Sequence, residues 1–132
     1  MLRFTARNYA RILAAAATRK VPVYAHYGIT HRCNLTCKMC GIWRYGDARE
    51  ELTLDEIQQV AARMARLGVV QVSIGGGEPF AYEDLAGAAK AFLDEGLNLR
   101  ILTNGVGGSN GNANESQGQY LERVDACIDA GV

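Results

Sequence analysis

At 132 residues, with 48% hydrophobic and 21% charged residues, the chain is long enough for one domain with a buried core and too ordinary in composition for a disordered or fibrous protein. Lys+Arg and Asp+Glu number 14 each, yet residues 1–44 hold eight Lys/Arg and no acid while residues 45–132 hold six against fourteen. Two complementary halves that neutralise each other argue against nucleic acid or a membrane surface as partner, and no apolar run is long enough to span a membrane.

Residues 4–18 are rich in alanine and free of Gly and Pro, which predicts an N-terminal helix ended by Pro22, with Arg3, Arg7 and Arg11 on one solvated stripe. Residues 1–22 read as a helical extension ahead of a domain at 23–132; the apolar stretch 12–17 is too short for a secretory core. Residues 23–29, β-branched and aromatic, predict a first strand. Directly after it, residues 30–40 place Cys33, Cys37 and Cys40 within eight positions and no fourth cysteine nearby. A structural zinc site wants four protein ligands, whereas a four-iron cluster on three thiolates leaves one iron open, so the deficit favours a chemical site. Zinc with His31 as fourth ligand stays open at this point. Clustered thiols kept reduced for a metal, with no disulfide framework, suit the cytoplasm. Trp43, Arg44 and Tyr45 follow the loop, either as a shield over it or as ordinary packing.

Thr53-Leu54-Asp55-Glu56 is a capping box opening a helix whose Leu54, Ile57, Val60, Ala61, Met64 and Leu67 face inward and which Gly68 closes. Residues 69–74 predict a second strand running into Gly75-Gly76-Gly77-Glu78-Pro79. A second helix over 82–95 turns Leu85, Ala88, Ala89, Phe92 and Leu93 inward, and a third strand over 97–102 ends in Thr103-Asn104-Gly105. Residues 106–118 read as a flexible polar loop. A last helix starts near Gln119, with Leu121, Val124, Cys127 and Ile128 on its apolar face and Cys127 a buried structural thiol. This alternation predicts an α/β fold with parallel βα units, in which the cysteine loop, the glycine run and Thr103-Asn104-Gly105 share the carboxyl rim of the sheet.

Cys33-x-x-x-Cys37-x-x-Cys40 with Met39 before the third cysteine, followed one βα unit later by Gly76-Gly77-Glu78-Pro79, resembles the signature of the radical S-adenosylmethionine (radical SAM) superfamily. The resemblance implies the N-terminal part of its core domain, the first part of a partial, open TIM-like barrel. It implies that Cys33, Cys37 and Cys40 hold a [4Fe-4S] cluster whose fourth iron is chelated by S-adenosylmethionine, with the Met39 backbone against the adenine. The same resemblance makes Gly75, Gly76, Gly77, Glu78 and Pro79 cofactor contacts near the methionine amino group. Thr103 and Asn104 would lie near the cofactor, although an Asn-Gly turn explains them nearly as well. The implied activity is reductive cleavage of S-adenosylmethionine to a 5′-deoxyadenosyl radical that takes hydrogen from a substrate the sequence does not name. An external flavodoxin- or ferredoxin-like donor would supply the electron. The pattern stops after about three βα units, which reads as a fragment; the competing readings are a small zinc or iron module and an inactive remnant.

Overall fold

Three short runs rich in β-branched and aromatic residues pair in parallel, in the order β1 (Tyr24–Thr30), β2 (Gln71–Gly76) and β3 (Asn98–Ile101). The computed structural model describes residues 4–18, 20–106 and 116–132; Arg3 and most of the expected 106–118 loop lie outside the described residues. The register sets Tyr24 against Gln71 and Ile74 against Ile101. Sequence reasoning ends the second strand at 74, but β2 runs on through Gly75 and Gly76, because glycine there lets the chain pair closely with Gly28 and Thr30. The register shifts between Gly28 and Thr30, a bulge that re-aims β1 just before the cysteine loop.

Four helices accompany the sheet: α1 (Ala6–Thr18), α2 (Leu54–Leu67), α3 (Leu85–Asp94) and α4 (Gln117–Asp129). The capping box at α2 forms as expected: the Thr53 hydroxyl accepts from the Glu56 amide and the Glu56 carboxylate accepts from the Thr53 amide. Its stop at Gly68 has φ +98°, and its amide donates to the Ala65 and Met64 carbonyls. Val72, Ile74 and Leu99 of the sheet pack with Ile57, Ala61 and Ala65 of α2 and with Leu85, Ala88, Ala89 and Phe92 of α3 in one core. That arrangement of parallel strands with helices against one face is an α/β fold of the partial, open TIM-like kind.

Three sequence expectations are corrected. Leu67, placed on the inward stripe of α2, is 62% exposed, and the buried face of the helix is carried by Ile57, Ala61 and Ala65. Arg11, placed on a solvated stripe, is half-buried: its guanidinium donates to the Ala65 carbonyl at 3.0 Å and the Val69 carbonyl at 3.4 Å, tying α1 to the carboxyl end of α2. Cations are favoured there by the partial negative charge at the carboxyl end of a helix. On α4, Leu121 and Ile128 are 52% and 58% exposed, and the buried side chains are Tyr120 and Cys127. The helix begins two residues earlier than expected, capped by Ser116, and turns Tyr120 onto Phe80 with ring centroids 5.1 Å apart.

Candidate cofactor site at the carboxyl rim of the sheet

β1 ends at Thr30, and the chain turns into the cysteine loop over a set of contacts that fix its base. The Gly77 amide donates to the Thr30 carbonyl at 2.7 Å and the Glu78 amide to the Arg32 carbonyl at 2.8 Å, continuing strand-like pairing past both strand ends. Gly76 has φ +126°, and a Cβ there would strike the Thr30 carbonyl oxygen; one on Gly77 would strike the Arg32 carbonyl. The glycine run is therefore demanded by the entry to the cysteine loop itself, before any ligand is considered.

Glu51 secures the same entry from the other side. Its carboxylate accepts from the Thr30 hydroxyl and from two of the three Arg32 guanidinium nitrogens, Nε at 2.7 Å and one terminal nitrogen at 2.9 Å, with the Glu51 side chain 11% exposed. A bidentate guanidinium–carboxylate pair fixes direction as well as distance. Sequence reasoning misses Glu51, which stands in an unpatterned acidic segment 19 positions after Arg32.

Glu78, expected as a cofactor contact, is completely buried. Its Oε1 accepts from the Phe80 amide at 3.2 Å and the Thr103 hydroxyl at 2.7 Å, and its Oε2 from the Asn104 amide at 2.8 Å. The carboxylate thus clamps the end of β2 to the residues after β3. Asn104 Nδ2 in turn donates to Asn34 Oδ1 at 2.8 Å, and Asn34 Nδ2 to the Val106 carbonyl at 3.1 Å. The three special segments are one hydrogen-bonded unit, and Asn34, between Cys33 and Leu35, is the link that sequence reasoning does not single out.

Cys33 is half-buried and accepts from the Leu35 amide at 3.5 Å, whereas Cys37 and Cys40 are exposed, with the Cys40 amide donating to the Cys37 carbonyl. Met39 is 96% exposed on the same loop, and Pro79 is buried beneath the rim. His31 lines a cleft beside β1 with Asp47, Glu50 and Glu51. Among the described residues no three His, Cys, Asp or Glu side chains already stand around a metal position. The donor set nonetheless suits an iron–sulfur cluster in kind: three soft thiols on one loop, two of them open to solvent, with a loop that has to draw its sulfurs together on loading. Cys127 is unsuited, because it is buried in the α4 contact and burial pushes its thiol up. The Trp43 indole lies just beyond the loop with its Nε1 buried and unpartnered and the Arg44 guanidinium 5.1 Å from the ring centre.

Parallel βα units whose strand ends carry a three-cysteine loop and a close-approach glycine backbone belong to the class of α/β domains in which ligands collect at the carboxyl rim of the sheet. The family model of the radical SAM superfamily matches residues 27–132, and the chain belongs to that family. It is similar to the "PqqA peptide cyclase" of Methylobacterium sp. (strain 4-46), 34% identical over 120 residues covering 90% of this chain and 29% of that protein. It is also similar to the "GTP 3',8-cyclase" of Peptoclostridium acidaminophilum, 34% identical over 112 residues covering 80% of this chain and 34% of that one. The fold matches the crystal structure of Streptococcus suis SuiB bound to S-adenosylmethionine with a TM-score of 0.55 at 21% identity, over 74% of this chain and 23% of that one. The chain thus spans about a quarter to a third of the length of the curated relatives it matches.

Proposed function

We propose that this chain is the N-terminal part of a radical SAM core domain, with Cys33, Cys37 and Cys40 as ligands of a [4Fe-4S] cluster and the rim from Gly75 to Pro79, with Met39, Thr103 and Asn104, as the seat of S-adenosylmethionine. The observation that carries this reading is the linkage of the three rim segments through Glu78, Asn104 and Asn34, which fixes the glycine backbone relative to the cysteine loop. When bound, the cluster would supply the electron, received from a flavodoxin- or ferredoxin-like donor, that cleaves S-adenosylmethionine to a 5′-deoxyadenosyl radical. The chain's own residues bind and orient: the thiolates hold iron, the glycines let the cofactor meet the main chain, and Glu78 holds the rim together from beneath.

A peptide and a nucleotide are named for the two kinds of relative, so their names support a common radical-generating part and fix no substrate for this chain. Residues 1–22 serve as a helical extension to the core that starts at 23. A cytoplasmic setting fits the exposed thiols, and no helix of the described residues is long and apolar enough to cross a membrane.

Anaerobic reconstitution followed by iron and sulfide analysis tests the cluster, and a change in its electron paramagnetic resonance on adding S-adenosylmethionine tests the open iron. Cys33→Ala, Cys37→Ala and Cys40→Ala should each abolish stable cluster binding, while Cys127→Ala leaves iron content unchanged. A zinc content matching the thiols, or an equal requirement for Cys127, would defeat the proposal.

A further inference from the structure

The sheet has a second face that the helices do not cover. Val72, Ile74 and Leu99 point into the helix-packed core, so the alternating positions of the same strands point the other way. On that face the register places His26, Ser73 and Arg100 in a single cross-strand row. Tyr24 and Leu102, on the same side, are 52% and 46% exposed, so the face is open along its two outer strands, while Ser73 on the middle strand is covered.

Three properties mark the row. Ser73 is 1% exposed, and its Oγ is a buried side-chain oxygen with no hydrogen-bond partner, a state that costs free energy unless something completes it. His26 leans toward the glycine run: a Cβ on Gly75 would stand 2.6 Å from His26 Cε1, so the absence of a side chain at 75 makes room for the imidazole. Arg100 is exposed on the strand and has no acid partner among the described residues, and His26 has none either. No Asp or Glu occupies any outward position of β1, β2 or β3. A guanidinium, an imidazole and an unsatisfied hydroxyl are all able to donate and have no anion to receive them.

We propose that His26, Ser73 and Arg100 form a binding subsite for an oxyanion, the carboxylate or phosphate group of a small molecule held on the open face just below the cofactor rim. The guanidinium fork takes two of the anion's oxygens, and the Ser73 hydroxyl and the imidazole N–H close on it from the sides. Assigning that anion to the substrate rests on the function proposed above; the binding itself does not, since none of the three residues belongs to the cysteine loop or the glycine run.

The experiment is a titration of the cluster-free protein with sodium phosphate and, separately, sodium acetate, at fixed pH and ionic strength, following the imidazole resonances of the two histidines by NMR. His31, on the rim beside β1, is the internal control. The expected result is a saturable shift at His26 with little change at His31, weakened at least tenfold in Arg100→Gln and less in Arg100→Lys, which keeps the charge but loses the fork. Ser73→Ala should weaken binding by a smaller factor with the shift still present. Saturation by phosphate alone points to a phosphoryl group, by acetate alone to a carboxylate. No shift, a parallel drift of both histidines, or an undiminished response in Arg100→Gln overturns the proposal. Because the titration needs no cluster, failure to bind iron and failure to bind the anion are read separately.

Discussion

At the scale of single residues, two carboxylates hold the rim in different ways and predict different phenotypes. Glu51 pairs with Arg32 and Thr30 at the mouth of the cysteine loop, so Glu51→Gln keeps the shape and removes the charge. Charge-assisted hydrogen bonds are worth roughly 1.5–3 kcal/mol, which converts to about tenfold or more in an equilibrium, so a reconstituted Glu51→Gln protein should lose iron to a chelator roughly tenfold faster with the fold intact. Iron release no faster than in the unaltered protein would show that the loop is positioned without this pair. Glu78 is buried under the rim, and Glu78→Ala strips the acceptor from the Phe80 and Asn104 amides. The expected cost is roughly 2–4 kcal/mol for the stranded donors, seen as a lowered urea midpoint in the absence of any cofactor. A Glu78→Ala protein as stable as the original, but deficient in S-adenosylmethionine binding, would show that Glu78 acts as a direct contact and not as the clamp of the rim.

Among the elements, α2 carries the clearest local design and a pH dependence with a definite sign. The Thr53 amide and hydroxyl hold the Glu56 carboxylate below its ordinary value of 4.5. A lowered carboxylate contributes stability that is complete above the unfolded value and is lost as the pH falls through the lowered folded value. The stability difference between the original protein and Glu56→Gln should therefore be full at neutral pH and shrink as the pH falls below the ordinary value of 4.5 and through the lowered folded one. Thr53→Ala removes the hydroxyl that caps the helix and should cost roughly 1 kcal/mol at neutral pH. Urea denaturation at a series of pH values checks both, and a difference that grows on acidification would contradict the capping geometry.

For the molecule as a whole, the sheet order leaves β1 and β3 each with one strand neighbour among the described residues, so both edges present unpaired backbone groups. Leu121 and Ile128 on α4 add exposed apolar surface. Open edges and uncovered apolar side chains favour association, so the isolated 132-residue chain should run as a small oligomer on size-exclusion chromatography and turn over little S-adenosylmethionine. A monodisperse monomer that forms 5′-deoxyadenosine under strong reductant would show that three βα units suffice.

The sequence by itself determined what depends on neighbours along the chain: the alternation of strands and helices, the capping box at Thr53, the stop at Gly68, and the shared rim of the cysteine loop, glycine run and Thr103-Asn104-Gly105. Periodicity, capping and glycine conformation act over a few residues, so they are written in a few residues. Only the tertiary structure decided what those segments meet. Glu51 reaches Arg32 across 19 positions, Asn34 reaches Asn104 across 70, and Arg11 reaches Ala65 across 54. No local pattern encodes such partners, because the hydrogen bonds form only once parallel strands have brought distant loops to one edge. For the same reason α4 could be recognised as a helix from its spacing, while its buried face, on Tyr120 and not on Leu121 and Ile128, was settled by where Phe80 lies.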